Sequence, residues 1–279
     1  MGTDTETPTR APTAAPTPTP GLQIAATYER TVGASLERVW ENVLDWEHLP
    51  WLHARAFDEI EKVDAGTWGW RARLTGAGGG ESRVALLIDR EAGRYVARTG
   101  EPPGPVSEIW TELEAASEAS TRVRVAFHVP EMPDDSRDAV GRIYVDVYRG
   151  LWDEDEEMMR ERAERLTERD SPPTDTPVDL GPAAELRARL PHDVVFGGER
   201  FRVIDREGEL VAHAAVCPHM LGPLFEADGD TDTLECPWHG YAFDASTGRS
   251  CDGRALRLPP PPRVEIDATS GRCRLVGPG

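Results

Sequence analysis

Hydrophobic and polar residues alternate near the start of the chain and then change to a helical spacing. The alternation over residues 22–32 predicts a first strand. A helix is predicted from Leu36 to Val43, because its apolar residues recur every three or four positions, and Ser35 is a suitable N-cap. Pro50 is predicted to end this helical region, since proline cannot donate the backbone hydrogen bond that a continuing helix needs.

Six further strand-like runs follow, separated by turns rich in glycine, proline and acidic residues. In chain order these runs are RAFDEIEKV, TWGWRARLT, SRVALLIDR, GRYVARTG, VSEIWTELEAA and TRVRVAFHV. Residues 138–169 then return to a helical spacing, which predicts a long helix. One strand, a short helical region, six strands and a long closing helix together predict an α+β domain.

A second domain is predicted after a proline-rich segment. Residues 170–184 are polar and contain several prolines, which indicates a semi-rigid linker. The short runs ELRARL, DVVFG, RFRVIDREG and ELVAHAAV then predict the strands of an all-β domain over residues 185–279. Residues 1–21 are rich in threonine, proline and alanine, and we expect them to form a disordered tail. The first domain therefore spans residues 22–169.

Charge and composition narrow the function. The net charge of −19 and a single lysine, Lys62, argue against a nucleic-acid partner, because phosphate binding requires clustered basic side chains. No run approaches the roughly 18 apolar residues that a membrane span requires. The first residues have neither a basic start nor an apolar segment, so no secretion signal is expected and a cytoplasmic location is predicted.

Cysteine and histidine occur together in two short motifs of the second domain. Cys217-Pro-His219 is followed, after sixteen residues, by Cys236-Pro-Trp-His239-Gly240. Two thiolates and two imidazoles on two loops can hold two irons unequally, and the histidine-bound iron raises the reduction potential above that of an all-cysteine cluster. A single zinc ion held by the same four side chains is the alternative.

These two motifs resemble those of the Rieske 2Fe-2S domain. The aromatic residues and the turn STGRSCDG that follow them, together with the prolines of LPPPPRV, strengthen the resemblance. The resemblance implies that Cys217 and Cys236 bind one iron and that His219 and His239 bind the other. Because the loop CPHMLG lacks the additional cysteine of the respiratory-chain type, the domain resembles the ferredoxin and oxygenase type.

The first domain resembles the helix-grip fold of the START-type (SRPBCC) superfamily. Its element order and the stretch VWENVLDWEHLPWLH carry the resemblance. In that fold a curved antiparallel sheet wraps around a C-terminal helix and encloses a hydrophobic cavity. The resemblance therefore implies that this domain binds a hydrophobic small molecule.

The two domains together resemble the Rieske non-haem iron oxygenases, with the usual domain order reversed. The family motif E-N followed by D-x-x-H-x-x-x-x-H matches residues 41–53. The resemblance implies that His48 and His53 are ligands of a mononuclear iron, Fe(II), and that Asp45 links a cluster histidine to an iron histidine. Five residues are about 140° out of register on a helix, so the two histidines converge only if the helix ends or bends between them, at Pro50.

The third iron ligand is expected on the long helix, within the acidic run LWDEDEEMM. Such a run usually forms a solvated helix face. At about 100° per residue, however, Glu154 and Asp155 fall near the centre of the apolar stripe, whereas the other three carboxylates point away. Buried carboxylates are costly unless they are paired or bind a metal, and the family's E-D pair matches these two positions. We therefore predict Asp155 as the third ligand.

The resemblance implies an oxygenase component. An external NAD(P)H-dependent reductase or a ferredoxin would supply electrons to the 2Fe-2S cluster, and a mono- or dioxygenase reaction at the mononuclear iron would consume oxygen and a hydrophobic substrate. A homotrimer is the family expectation. Two other functions stay open: a Rieske ferredoxin-like electron carrier fused to an iron-free ligand-binding domain, and a redox sensor whose first domain is a scaffold.

Overall fold

The computed structural model describes residues 16–100, 106–169, 176–227 and 230–278. Its contacts divide the chain into two units, Met1–Met159 and Arg160–Gly279. The helices of the first unit are α1 (Leu36–Leu44), α2 (Leu49–Leu52) and the greater part of α3 (Asp134–Arg169). Its strands are β1 (Leu22–Val32), β2 (Phe57–Gly66), β3 (Gly69–Gly76), β4 (Glu81–Asp89), β5 (Arg94–Thr99), β6 (Ser107–Ser117) and β7 (Ser120–Pro130).

The seven strands form one antiparallel sheet in the order β1-β7-β6-β5-β4-β3-β2. Strands β2 to β7 pair with their neighbours in sequence, whereas β1 pairs with β7 at the opposite edge from β2. Phe127 of β7 is fully buried and contacts the rings of Tyr144 and Tyr148 on α3, at centroid distances of 5.1 and 4.9 Å. A long helix packed on one face of an antiparallel sheet is the START-like helix-grip arrangement, so the predicted α+β fold of this unit is confirmed.

The helix α3 approaches β1 at a glycine. A Cβ atom on Gly141 would lie 2.5 Å from the carbonyl oxygen of Ala25, so a larger residue would force the helix away from the strand. The pairing of β1 with β7 is irregular between Ile24 and Ala26, at the same place. Although α3 is long, no helix in the described part of the chain is both long and apolar enough to cross a membrane.

The prediction that Pro50 ends the first helical region is wrong. α1 begins after Ser35, whose side chain accepts a hydrogen bond from the amide of Arg38, and it ends at Leu44. Pro50 lies instead in the first turn of α2. A proline is favourable there, because the amide it lacks would have had no partner inside the helix.

Part of the predicted tail lies against the sheet. Residues 1–15 fall outside the described residues, but the amide and hydroxyl of Thr19 donate to Glu108 of β6 at 3.2 and 2.5 Å. Trp110 and Arg98 also donate to this fully buried carboxylate, at 2.8 and 2.7 Å. Burial alone would raise the pKa of Glu108, but these hydrogen bonds outweigh burial and lower it. The composition of residues 16–21 cannot reveal a buried partner so distant in sequence.

The second unit contains three three-stranded antiparallel sheets, β11-β10-β9, β12-β13-β14 and β15-β16-β8. Besides the end of α3, it contains one short helix, α4 (Ala183–Arg187), within its described residues. Its strands are β8 (Val178–Pro182), β9 (His192–Phe196), β10 (Glu199–Arg206), β11 (Glu209–Ala214), β12 (Phe225–Ala227), β13 (Asp230–Cys236), β14 (Tyr241–Asp244), β15 (Arg263–Ile266) and β16 (Arg272–Val276).

The structure departs from the sequence prediction at the start of this unit. The run ELRARL, predicted as a strand, begins inside α4, where Leu186 is fully buried in the core of the unit. Residues 170–175 of the predicted linker lie outside the described residues, and the next part of it forms β8, paired with β16. Leu180 of β8 is also buried, so this stretch packs into the core of the unit despite its proline-rich composition. The end of α3 belongs to this unit because Glu168 and Arg169 pair with Arg200 and Glu199.

Glu108→Gln is expected to lower the free energy of unfolding at pH 7 by about 1–3 kcal/mol, because an amide cannot accept all the hydrogen bonds that converge on this carboxylate. Since the pKa of Glu108 is lower in the folded protein, its contribution is complete above the ordinary glutamate pKa of about 4.3 and is lost as the pH falls through the folded value. Urea unfolding of both proteins at pH 7 and at low pH measures this difference.

Glu112→Gln, on the same strand but exposed, is the control and should match the wild type. A Glu108→Gln protein as stable as the wild type at pH 7 would contradict the anchoring role of Glu108.

Candidate functional site

His48 and His53 stand at the two ends of a single helical turn. α1 ends at Leu44, where Asp45 adopts an extended conformation, and α2 is flanked by His48 as N-cap and His53 as C-cap. The main break in the helical region therefore precedes His48. Because the histidines flank one turn and do not share a continuous helix, their ring centroids lie only 5.1 Å apart.

Asp155 reaches both histidines from α3. Its Oδ1 atom lies 3.5 Å from His48 Nε2 and 3.1 Å from His53 Nε2. Donor atoms of these three residues, here called the triad, all lie within 4.8 Å of one another, and among the described side chains no other group of three or more His, Cys, Asp or Glu does so. Two imidazoles and one carboxylate are the donor set of non-haem Fe(II) sites. Neighbouring donors at about 2.1 Å from one ion would lie about 3 Å apart, which is close to the observed distances.

Each triad histidine turns its other ring nitrogen towards a carboxylate. His53 Nδ1 lies 2.7 Å from Glu154 Oε2, and His48 Nδ1 lies 3.6 Å from Asp45 Oδ2. Asn42 donates from Nδ2 to Asp155 Oδ1 at 2.9 Å. Metal-binding histidines usually donate their remote N–H to a carboxylate, which fixes the tautomer and leaves the other nitrogen for the metal. The triad has this arrangement for His53, and more loosely for His48.

The triad is buried: His48, His53 and Asp155 are 3%, 2% and 8% exposed to solvent, respectively. Burial would lower the pKa of His53, but hydrogen bonds and charges from Asp155 and Glu154 outweigh it and raise that pKa. Burial would raise the pKa of Asp155, but its interactions with His53, His48 and Asn42 outweigh it and lower that pKa. The protein thus holds a buried anion between two imidazoles, where a divalent cation can replace a proton.

The triad lines a cavity of about 430 Å³, a volume typical of small-molecule sites. Most of its wall is apolar and comes from the sheet, α1 and α3; it includes Val43, Phe57, Trp70, Leu86, Ile109 and Leu151. A larger groove of about 880 Å³ lies over β2, β3 and β4 and contains none of the triad. We favour the smaller cavity as the binding site, because buried polar groups converge on it.

Two loops carry the cysteine–histidine motifs of the second unit; residues 217–222 and 236–240 are here called the cluster loops. The first is closed by a hydrogen bond from the amide of Cys217 to the carbonyl of Gly222, at 2.8 Å. The second connects β13 to β14: Cys236 pairs with Tyr241, and the amide of Gly240 donates to the Cys236 carbonyl at 2.8 Å. Both motifs therefore lie in tight, backbone-closed turns.

The four donors of the cluster loops group by kind. The thiols of Cys217 and Cys236 interact with each other, and this interaction lowers the pKa of Cys217 and raises that of Cys236, which burial raises further. The rings of His219 and His239 have centroids 4.5 Å apart, and His219 stacks on Tyr241. Paired thiols beside paired imidazoles fit a 2Fe-2S cluster whose two irons take different ligands.

A glycine brings the first cluster loop against the second. A Cβ atom on Gly222 would lie 2.5 Å from Cys236 Sγ and 2.9 Å from two ring atoms of Trp238. The preceding Leu221 has a left-handed backbone, with φ of 63°, which is unusual for a residue with a side chain. Its carbonyl accepts a hydrogen bond from Arg165 at 2.5 Å, and the Arg165 guanidinium lies 5.4 Å from the Trp238 ring centroid. One side chain from the end of α3 therefore contacts both loops.

The structure places His48, His53 and Asp155 together; in the second unit it places Cys217 beside Cys236 and His219 beside His239. Asp45 lies beside His48, and its expected link to a cluster histidine stays a prediction. Two contacts of the triad were not predicted from the sequence: Glu154 is the partner of His53, and Asn42 donates to Asp155. Asn42 belongs to the E-N motif and Glu154 directly precedes Asp155, so their positions in the sequence were the only indication of these contacts.

Residues 176–266 match the family model of the Rieske [2Fe-2S] domain. The C-terminal part of the chain is therefore a Rieske domain, and this prediction is confirmed. Such a domain implies a 2Fe-2S cluster and a redox partner, and it occurs in oxidoreductases. The match begins inside the segment 170–184 that the sequence predicted as a linker.

Several solved structures are similar to part of the chain. They include a norcoclaurine synthase point mutant of Thalictrum flavum with a transition-state analogue, with 18% identity over 51% of this chain and 96% of the other and a TM-score of 0.42. The Zhui aromatase/cyclase of a Streptomyces species is 12% identical; the match covers 51% of this chain and 96% of the other, with a TM-score of 0.43. A START superfamily protein of Mycobacterium smegmatis is 16% identical; the match covers 48% of this chain and 97% of the other, with a TM-score of 0.40. No curated protein matches the chain.

Gly222→Ala is expected to prevent cluster assembly, because the added Cβ atom would clash with Cys236 Sγ. The purified variant should lose most of the visible absorption of a 2Fe-2S cluster while its far-ultraviolet circular dichroism remains that of the wild type. Gly277→Ala is the matched control, since a Cβ atom there meets nothing within 4 Å. Full cluster content in Gly222→Ala would show that the loops pack differently.

Glu154→Gln is expected to weaken metal binding at the triad by about 10- to 100-fold, because the carboxylate partner of a metal-binding histidine typically contributes this much. Titrating metal-free protein with Co²⁺ and following the visible absorption measures the affinity. Glu157→Gln, exposed on the same helix, controls for the loss of one acidic charge. Equal Co²⁺ affinities in the two variants would show that Glu154 does not contribute to metal binding.

Proposed function

We propose that this chain is the oxygenase component of a Rieske non-haem iron system, in which electrons delivered to a 2Fe-2S cluster serve a mononuclear iron that oxygenates a hydrophobic small molecule. The Rieske domain supports the electron-transfer part of this proposal. The observation that carries the rest is the position of the triad, whose three donors converge in the wall of an apolar cavity.

The chemistry of the triad fits Fe(II). Three protein donors occupy half of a six-coordinate site and leave positions open, and an iron bound there would supply the activation of dioxygen. His48, His53 and Asp155 would hold the metal. Glu154 accepts from His53 Nδ1 and so leaves the lone pair of Nε2 available, and Asn42 fixes the orientation of the Asp155 carboxylate.

The cavity would bind the substrate and keep water away from it. Its apolar wall favours a hydrophobic molecule, because transfer of apolar surface out of water is favourable. A substrate in this cavity would lie against the metal-binding side chains, since the triad is part of the same wall. Oxygen is the second substrate, in a mono- or dioxygenase reaction.

We further assign the ligands of the cluster as Cys217 and Cys236 for one iron and His219 and His239 for the other. An external NAD(P)H-dependent reductase or a ferredoxin is the expected electron donor. The Rieske domain supports a redox partner of this kind, and the family resemblance favours a homotrimer.

One observation favours a second function, that of a Rieske electron carrier fused to an iron-free ligand-binding domain. Asp155 Oδ1 already accepts from Asn42 at 2.9 Å and lies 3.1 Å from His53 Nε2. A protonated His53 would satisfy this carboxylate without any metal. The triad would then be a buried hydrogen-bonded group beside a ligand cavity.

Iron and acid-labile sulfide per chain, measured on anaerobically purified protein, separate these two functions. The oxygenase predicts about three irons and two sulfides for the wild type, since the cluster accounts for only two irons. His48→Ala/His53→Ala should lose about one iron and keep both sulfides, because the cluster loops are untouched. The electron carrier predicts two irons in both proteins.

His128→Ala is the matched control, since it removes a partly buried histidine that does not line the cavity. It should keep the wild-type iron content. Two irons per chain in a wild type reconstituted with excess Fe(II) would contradict the oxygenase proposal.

A further inference from the structure

The cavity carries a second polar group at a distance from the triad. Tyr148 lies on α3, seven residues before Asp155, and both residues line the cavity. Seven residues are nearly two helical turns, which places the two side chains on the same helix face, about 10 Å apart along its axis. The wall around this span is mostly apolar, although Tyr95 and Tyr144 also line it.

The side chain of Tyr148 is part of the cavity wall. Its ring is held against Phe127 at a centroid distance of 4.9 Å and an interplanar angle of 80°. The charged and phenolic groups that act on the hydroxyl are those of Tyr95, Tyr144 and Asp155, and all three line the same cavity. The packing therefore fixes where the phenol points before any ligand enters.

This hydroxyl is a donor that needs an acceptor. Burial, followed by the nearby Tyr95, Tyr144 and Asp155, raises the pKa of Tyr148 well above its usual range, so the phenol keeps its proton. Tyr148 is half-buried and lines an open cavity, so water can reach its hydroxyl. A ligand that displaces this water without offering an acceptor leaves the donor unsatisfied, whereas a ligand with an oxygen atom replaces the lost hydrogen bond.

We propose that Tyr148 recognises an oxygen atom of the ligand. The ligand class is then a hydrophobic molecule with a hydroxyl, ether or carbonyl oxygen, which binds with this oxygen about two helical turns from its end at the triad. The identification of that end as the site of oxygenation rests on the proposed function. The recognition by Tyr148 does not, because it requires only the cavity.

Calorimetric titration of the full-length protein with 2-naphthol and with 2-methylnaphthalene tests this proposal. The two probes have the same shape, and only the first offers an oxygen. The wild type should bind 2-naphthol about tenfold more tightly, because a hydrogen bond to the Tyr148 hydroxyl forms with one probe alone. Tyr148→Phe should bind both probes with similar affinity, while its affinity for 2-methylnaphthalene stays at the wild-type level or rises.

Tyr28→Phe is the matched control, since it removes a phenol hydroxyl outside the cavity that already accepts from Arg30. It should keep the wild-type preference. A wild type without preference, a preference that survives in Tyr148→Phe, or no binding of either probe would overturn the proposal. A preference for 2-naphthol in a protein with only two irons would instead overturn the oxygenase proposal and leave the role of Tyr148 intact.

Discussion

The buried charge of Asp155 is the interaction on which the site of the first unit depends. An isolated carboxylate in such a place would cost several kcal/mol, so it must have partners or become neutral. Two elements supply those partners: α1 provides Asn42, and the two ends of α2 provide His48 and His53. The position of the break between α1 and α2 therefore depends on which face of α3 points inward. A shift in either would leave the buried charge of Asp155 unpaired.

The second unit meets a different constraint, which is space. Its four candidate ligands lie in two short loops, and the loops can approach only because position 222 has no side chain. Leu221 adopts an uncommon backbone conformation beside it, with Arg165 bonded to its carbonyl. Regular elements thus position the donors of the first unit, whereas tight turns position those of the second. Each unit carries a candidate metal centre of the type that its own architecture allows.

Much of this could be predicted from sequence, and the failures have physical causes. Strand alternation and motif spacing act locally, so the sheet, α3 and the Rieske domain were all predictable. The helical period separated Glu154 and Asp155 from the other three carboxylates for the same reason, and the family resemblance then favoured Asp155. Pro50 was misplaced because a proline favours the first turn of a new helix as readily as it ends an old one. The contacts of Glu154 with His53 and of Thr19 with Glu108 join distant parts of the chain, which no local pattern encodes.

The central claim is that the triad binds iron, and anomalous diffraction from anaerobically grown crystals at the iron absorption edge tests it most directly. If the triad binds iron, a single anomalous peak is expected among His48 Nε2, His53 Nε2 and Asp155 Oδ1, in addition to the peak of the cluster. The peak should vanish in data collected below the edge, which identifies the element. A cluster peak accompanied by direct His53–Asp155 contact and no density between the three donors would contradict the account.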